Sequence, residues 1–161
     1  MRLVLDSCIC IDLYRGRILP TACTLTDDLW VPDFLQTELQ EPSWQEVLRS
    51  GIKIAHLFPE DISELYRIRT LYPRPSVIDL ASLLVAKKIK AILLTGDKAL
   101  RLAAEAESAN VHGLLWLMDR LVEQQLLTPQ AAVECLQTLI KNGSRQPDKD
   151  LKKMVVRWLR E

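Results

Sequence analysis

Two apolar runs in this chain end in an aspartate: Val4-Leu5-Asp6 and Leu93-Leu94-Thr95-Gly96-Asp97. A carboxylate at the end of a buried strand needs a partner, because an unpaired charge is costly to desolvate. Two more acids are placed to join them. Asp79 falls in the first turn of a helix beginning at Ser76, and Glu38 lies on the segment opened by Pro32. Four carboxylates around one crevice make chemical sense as a divalent-cation site. Two bare like charges about 4 Å apart repel by roughly 4 kcal/mol at an effective dielectric of 20. Hard oxygen ligands favour Mg²⁺ or Mn²⁺ over Zn²⁺. Each acid also has a plainer use. Asp79 stands three residues after Ser76, the spacing of a capping box. Asp97 can cap the helix that follows it. Glu38 can be a solvated surface residue. Asp6 is the hardest to explain without a ligand.

The elements that position these residues alternate. Strands are expected at Arg2–Leu5, Trp30–Val31, Ile52–Leu57, Ala91–Thr95 and Asn110–His112. Helices are expected at Ile9–Arg17, after Pro32-Asp33 with Asp33 and Gln36 in capping-box spacing, and at Trp44–Arg49, Glu60–Tyr72, Ser76–Lys88 and Ala99–Glu107. Beyond Gly113 the pattern is wholly helical: Leu114–Leu127, a helix capped by Thr128-Pro129 that stops at Asn142-Gly143, and Leu151–Arg160. Strand–helix alternation predicts an α/β fold with a central, mostly parallel sheet of 4–5 strands and additional C-terminal helices. Ligands of such sheets bind at the carboxyl ends of strands where the order reverses, so Asp6 and Asp97 meet there if their strands are neighbours. Residues 1–142 are expected to form the main domain, and 143–161 a linker and basic amphipathic helix, an appendage rather than a second domain.

Composition narrows the classes. The 161 residues carry 21 Lys+Arg and 21 Asp+Glu, a formal net charge of zero, with 48% hydrophobic residues. That excludes disorder and argues against coating nucleic acid by bulk charge, where affinity comes from Lys and Arg displacing counterions. The neutrality is a cancellation. Lys141, Arg145, Lys149, Lys152, Lys153, Arg157 and Arg160 crowd the last segment against Asp148, Asp150 and Glu161, which leaves the body net acidic. No apolar stretch reaches the roughly 20 residues of a membrane span, and no signal-peptide core follows Arg2, so a cytoplasmic protein is expected. Cys8, Cys10, Cys23 and Cys135 lack a second Cys/His pair at zinc spacing and read as thiols of a reducing compartment.

Taken in order, Leu3-Val4-Leu5-Asp6-Ser7, Val31-Pro32 with Glu38, Asp79-Leu80-Ala81, and Leu93-Leu94-Thr95-Gly96-Asp97-Lys98-Ala99-Leu100-Arg101 resemble the PIN-domain ribonucleases, which include the VapC-type toxins of prokaryotic toxin–antitoxin pairs. The stretch His112-Gly113-Leu114-Leu115-Trp116-Leu117 is similar to a PIN subgroup with extra C-terminal helices. The resemblance implies a three-layer α/β/α fold and a Mg²⁺- or Mn²⁺-dependent endoribonuclease. It implies Asp6, Glu38, Asp79 and Asp97 as the catalytic and metal-binding quartet. Ser7, Thr95, Lys98 and Arg101 match supporting or substrate-facing positions. RNA is the implied substrate, an antitoxin protein a candidate partner, and a homodimer the implied assembly. Cys8 departs from the Asn or Ser that many members carry at that position.

Other classes fit less well. A PIN-like interaction module without activity is the alternative, favoured by Cys8 and the C-terminal helices. A haloacid-dehalogenase-like phosphatase wants Asp-x-Asp at the first strand, and position 8 is Cys. A receiver domain wants an acidic pair that does not precede Asp6.

Overall fold

The computed structural model describes residues 1–160. Five short parallel strands, β1 (Leu3–Leu5), β2 (Leu29–Pro32), β3 (Lys53–Ala55), β4 (Ile92–Leu94) and β5 (Val111–His112), form one sheet in the order β3-β2-β1-β4-β5. The chain builds outward from β1 to β3, then returns to lay β4 on the other side of β1. The order therefore reverses between β1 and β4, in register Leu3–Ile92, Val4–Leu93 and Leu5–Leu94. The sheet is all parallel, with helices on both faces.

Side-chain alternation explains the layers. Leu3, Leu5, Leu29, Val31 and Leu94 point to one face, where they pack with α1 (Ser7–Arg15), α2 (Leu19–Leu25), α3 (Trp44–Arg49), α7 (Leu114–Glu123) and α8 (Pro129–Lys141). Val4 and Leu93 point to the other, against α4 (Pro59–Leu71), α5 (Val77–Lys88) and α6 (Lys98–Ala106). The strands are almost wholly apolar because both faces are covered.

Local chemistry moves several boundaries. Helix α1 begins at Ser7, two residues earlier than its apolar periodicity indicates, because Asp6 caps it. After Pro32 the chain makes a 3₁₀ helix, Asp33–Thr37, instead of the expected α-helix. The Asp33–Gln36 capping box is not formed: Asp33 Oδ2 pairs with His56 Nδ1 at 3.1 Å, and its buried Oδ1 has no protein partner. Helix α2 is an addition to the expected elements, with Pro20 in its first turn. The strand around Ile54 is confined to three residues.

The C-terminal segment joins the main core. Thr128 caps α8 as its spacing predicts, and Gly143 takes φ +90° just beyond its end. Helix α9 (Asp148–Trp158) then lies on α7 and α8, with Leu151, Met154 and Val155 against the same apolar cluster as Leu3 and Leu5. Trp158 is 1% exposed. Its Nε1 donates to Asp119 Oδ1 on α7 at 3.0 Å, and Arg157 pairs with the same carboxylate. Leu159 faces solvent, so the apolar stripe packs only in part.

Asp119→Ala should destabilise the protein by about 2 kcal/mol, since it leaves the buried Trp158 N–H without an acceptor. It should also hasten proteolytic cleavage between residues 143 and 150. Urea unfolding and limited proteolysis check both. Unchanged stability would show that α9 is held by apolar contact alone.

Candidate active site at the carboxyl edge of the sheet

The reversal of strand order puts two acids side by side. Asp6 follows β1 and is 0% exposed, and its own N–H donates to Leu94 O at 3.1 Å. Its Oδ1 accepts from Ile9 N at 2.8 Å, which starts α1. Its Oδ2 accepts from the Thr95 hydroxyl across the β1–β4 seam. The same Thr95 oxygen accepts from Asp97 N at 3.0 Å. Thr95 thus ties the two strand ends together. Asp97 Oδ1 then accepts from Leu100 N at 2.6 Å and caps α6.

The other two acids come from two different connections, Glu38 from that between β2 and β3 and Asp79 from that between β3 and β4. Asp79 forms the capping box of α5 with Ser76: Asp79 N donates to Ser76 Oγ, and Ser76 N to Asp79 Oδ2, both at 3.0 Å. Helix α5 packs on β1, β2 and the 3₁₀ helix, which brings Asp79 close enough for its charge to act on Asp6. Glu38 sits at the C-terminal end of the 3₁₀ helix rather than on an α-helix, and it is exposed. The partial enclosure of its carboxyl, and then the Asp79 charge, raise it above the ordinary range. The Asp79 charge thus acts on both Glu38 and Asp6, and the Asp97 charge acts on Asp6.

The plain capping role and the clustering coexist. Three of the four acids spend an oxygen on a helix-starting N–H, and their placement at helix starts is what gathers them. Asp6 carries the electrostatic cost. Burial chiefly, and the Asp79 and Asp97 charges besides, push its pKa up to about 7, against the lowering effect of its bonds from Thr95 and Ile9. None of the four carboxylates forms an ion pair among the described residues.

Hard oxygen donors without a counter-cation fit Mg²⁺ or Mn²⁺ in chemistry. In position they fit less closely. Among the described residues no three His, Cys, Asp or Glu side chains stand together as a ready metal cage. A cation would have to draw the carboxylates inward against their caps. Cys8 is exposed beside the cluster. Partial enclosure, then the charges of Asp6, Asp79, Asp12 and Asp97, push its thiol up to about 12, so it stays protonated and is a poor soft-metal ligand. All four cysteines are free.

The remaining residues singled out from the sequence fall around this centre. Ser7 is buried at the first position of α1. Lys98 is exposed at the start of α6. Arg101 is half-buried and donates from Nη2 to Thr95 O at 3.3 Å. Gly113, which the sequence offers only as part of the His112–Leu117 stretch, bears on Arg101. A Cβ there would stand 3.2 Å from Arg101 Nη2, so a glycine leaves the room in which that guanidinium lies. The His112 ring stacks on Trp116 at 4.4 Å, and Arg120 lies over it at 5.8 Å.

A family model described as a PIN domain matches residues 2–159. The chain belongs to the PIN-domain family, whose fold is of the nuclease type and whose members typically use divalent metals. A comparison with curated proteins finds no match. No helix among the described residues is long and apolar enough to cross a membrane.

The raised pKa of Asp6 has a stability consequence. Between the unfolded value near 3.8 and the folded value near 7, the native state holds a proton that the unfolded state has lost. The contribution of Asp6 to stability therefore declines as pH rises through that window and is unfavourable above it. In chelator at pH 8, Asp6→Asn should melt several degrees above wild type, at ~2–4 °C per kcal/mol for a domain of this size. The gap should close towards pH 4. Added Mn²⁺ should raise the wild-type midpoint and leave the variant's nearly unmoved. Equal midpoints at pH 8 would remove the charge conflict assigned to Asp6.

Proposed function

We propose that the protein is a Mg²⁺- or Mn²⁺-dependent endoribonuclease. The observation that carries this reading is Asp6: a fully buried carboxylate at the point of strand-order reversal, acted on by two like charges and paired with no cation. Such an arrangement is unfavourable in the free protein and is relieved by a bound divalent ion. Asp6 and Asp97 would hold the cation with Asp79, and Glu38 at the rim is the most adjustable of the four. When bound, the cation lowers the pKa of a coordinated water and offsets charge on the phosphate oxygens.

The chain's own groups do the rest. The Thr95 hydroxyl fixes the orientation of Asp6 and, through the Asp97 N–H, the start of α6. Lys98 and Arg101, on the first turn of that helix, would bind the substrate backbone and exclude a second orientation of it. Burial of the β1 and β4 ends keeps water from the inner side of the site, where a lower dielectric strengthens each charge interaction. We read RNA as the substrate, and the toxin of a toxin–antitoxin pair, acting in the cytoplasm as a homodimer, as the biological setting.

A second reading, an interaction module of PIN fold without activity, draws on the lack of a ready three-ligand cage among the described residues and on the thiol at position 8.

Purified protein should cleave RNA with Mg²⁺ or Mn²⁺ and stop in EDTA. Asp6→Asn and Asp79→Asn should lower the rate at least 100-fold while the protein keeps its fold, because an amide oxygen still accepts the capping N–H. Glu38→Gln should cost less. Cleavage retained by Asp6→Asn would place the activity elsewhere. Growth arrest upon expression, relieved by the neighbouring open reading frame, would establish the toxin role, and uninterrupted growth would remove it.

A further inference from the structure

The acidic centre does not stand alone at the sheet edge. A cleft of about 610 Å³ opens beside it. Its inner end is Thr95 and Gly96, the residues that join β4 to Asp97. Its floor is the first turn of α6 and the start of α7. Its outer wall comes from the C-terminal segment: Arg145 and Pro147 of the linker and Met154 of α9. That wall stands because Asp119 holds Trp158 and Arg157. The basic tail is thus folded against the one edge where the acids gather.

The charges along this cleft have the sign of a polyanion's partner. Lys98, Arg101 and Arg145 line it. Lys98 and Arg145 are exposed and have no hydrogen-bond or ion-pair partner among the described residues. Arg101 is tethered by one nitrogen to Thr95 O in the space left by Gly113. Two acids also line the cleft. Asp119 is taken up by α9, and Asp150 lies exposed on α9. Trp116, with the His112 ring stacked on it, and the apolar Leu114, Leu115 and Met154 complete the lining. The cations are the groups suited to phosphates, contacts that position a strand without reading its sequence.

We propose that this cleft binds the single-stranded RNA backbone next to the cleaved phosphate, with Lys98 and Arg145 each contacting a phosphate, so that the C-terminal segment is part of the substrate site. The inference rests on the nuclease reading for its choice of ligand. It assigns the folded tail a role that the acidic quartet does not need. A charge-neutral chain can then hold a polyanion, because Lys98, Arg101 and Arg145 are brought together along one cleft.

The test uses the full chain and a labelled single-stranded oligoribonucleotide, followed by fluorescence anisotropy across a range of salt. Lys98→Gln with Arg145→Gln should weaken binding several-fold. The slope of log affinity against log salt should fall by about 1.4, from two single-strand phosphate contacts at ~0.7 each. Arg17→Gln with Arg49→Gln, in the separate cleft of about 970 Å³ beside α1 and α3, should leave both quantities unchanged. Unchanged affinity and slope in the first pair would overturn the proposal, as would an equal loss in the second pair. Weaker binding in the first pair, with no metal-dependent cleavage by the wild type, would support the cleft and overturn the nuclease reading. Intact cleavage with unaltered binding would do the reverse. Wild-type protein that binds no RNA would overturn both.

Discussion

The hydrogen bond from Thr95 to Asp6 holds the working edge of this protein together. It crosses the seam where strand order reverses, and its donor oxygen also accepts the N–H of Asp97. Strand pairing alone would align β1 with β4. The threonine goes further and fixes where the two acidic turns beyond them point. It does so at an electrostatic disadvantage, because the carboxylate it fixes is buried and faces like charges. Perturbed carboxylates of this kind cluster at functional sites.

Helix capping is the means by which the conflict is built. Asp6, Asp79 and Asp97 each satisfy a helix-starting N–H, and each such helix begins at the carboxyl edge of the sheet. In a parallel α/β fold every helix that follows a strand starts on that edge. Asp6 and Asp97, the N-caps of helices that directly follow strands, therefore converge there as a matter of topology, and Asp79 joins them from the first turn of α5, which follows α4. Local stability and the gathering of the acids are served by the same residues. The placement of cations is complementary: Lys98 and Arg101 occupy the first turn of α6, and the C-terminal segment brings Arg145 to the same side.

Much of the fold was legible in the sequence because its signals are local. Apolar runs ending in Asp marked β1 and β4. Thr128-Pro129 marked the start of α8, and Ser76 with Asp79 marked that of α5. The losses came where a tertiary contact outweighed local pattern. Asp33 and Gln36 have capping spacing, but His56 from the neighbouring strand end engages Asp33, and the segment tightens into a 3₁₀ helix. Gly113 carries no signal by itself, since its use is to admit an arginine twelve residues earlier in the chain.

The zero net charge sums up that division. The sequence by itself determined that acids end the strands and that bases crowd the tail, because composition and spacing are properties of the chain alone. It also determined the alternation that makes the sheet parallel, through the apolar strands and the caps between them. Only the tertiary structure decided that β1 and β4 are neighbours, that Thr95 links their acids, and that Trp158 brings the basic tail back beside them. Those are contacts between residues up to 89 positions apart. No local propensity encodes them; they follow from burying both faces of one sheet and from pairing each polar group that burial encloses.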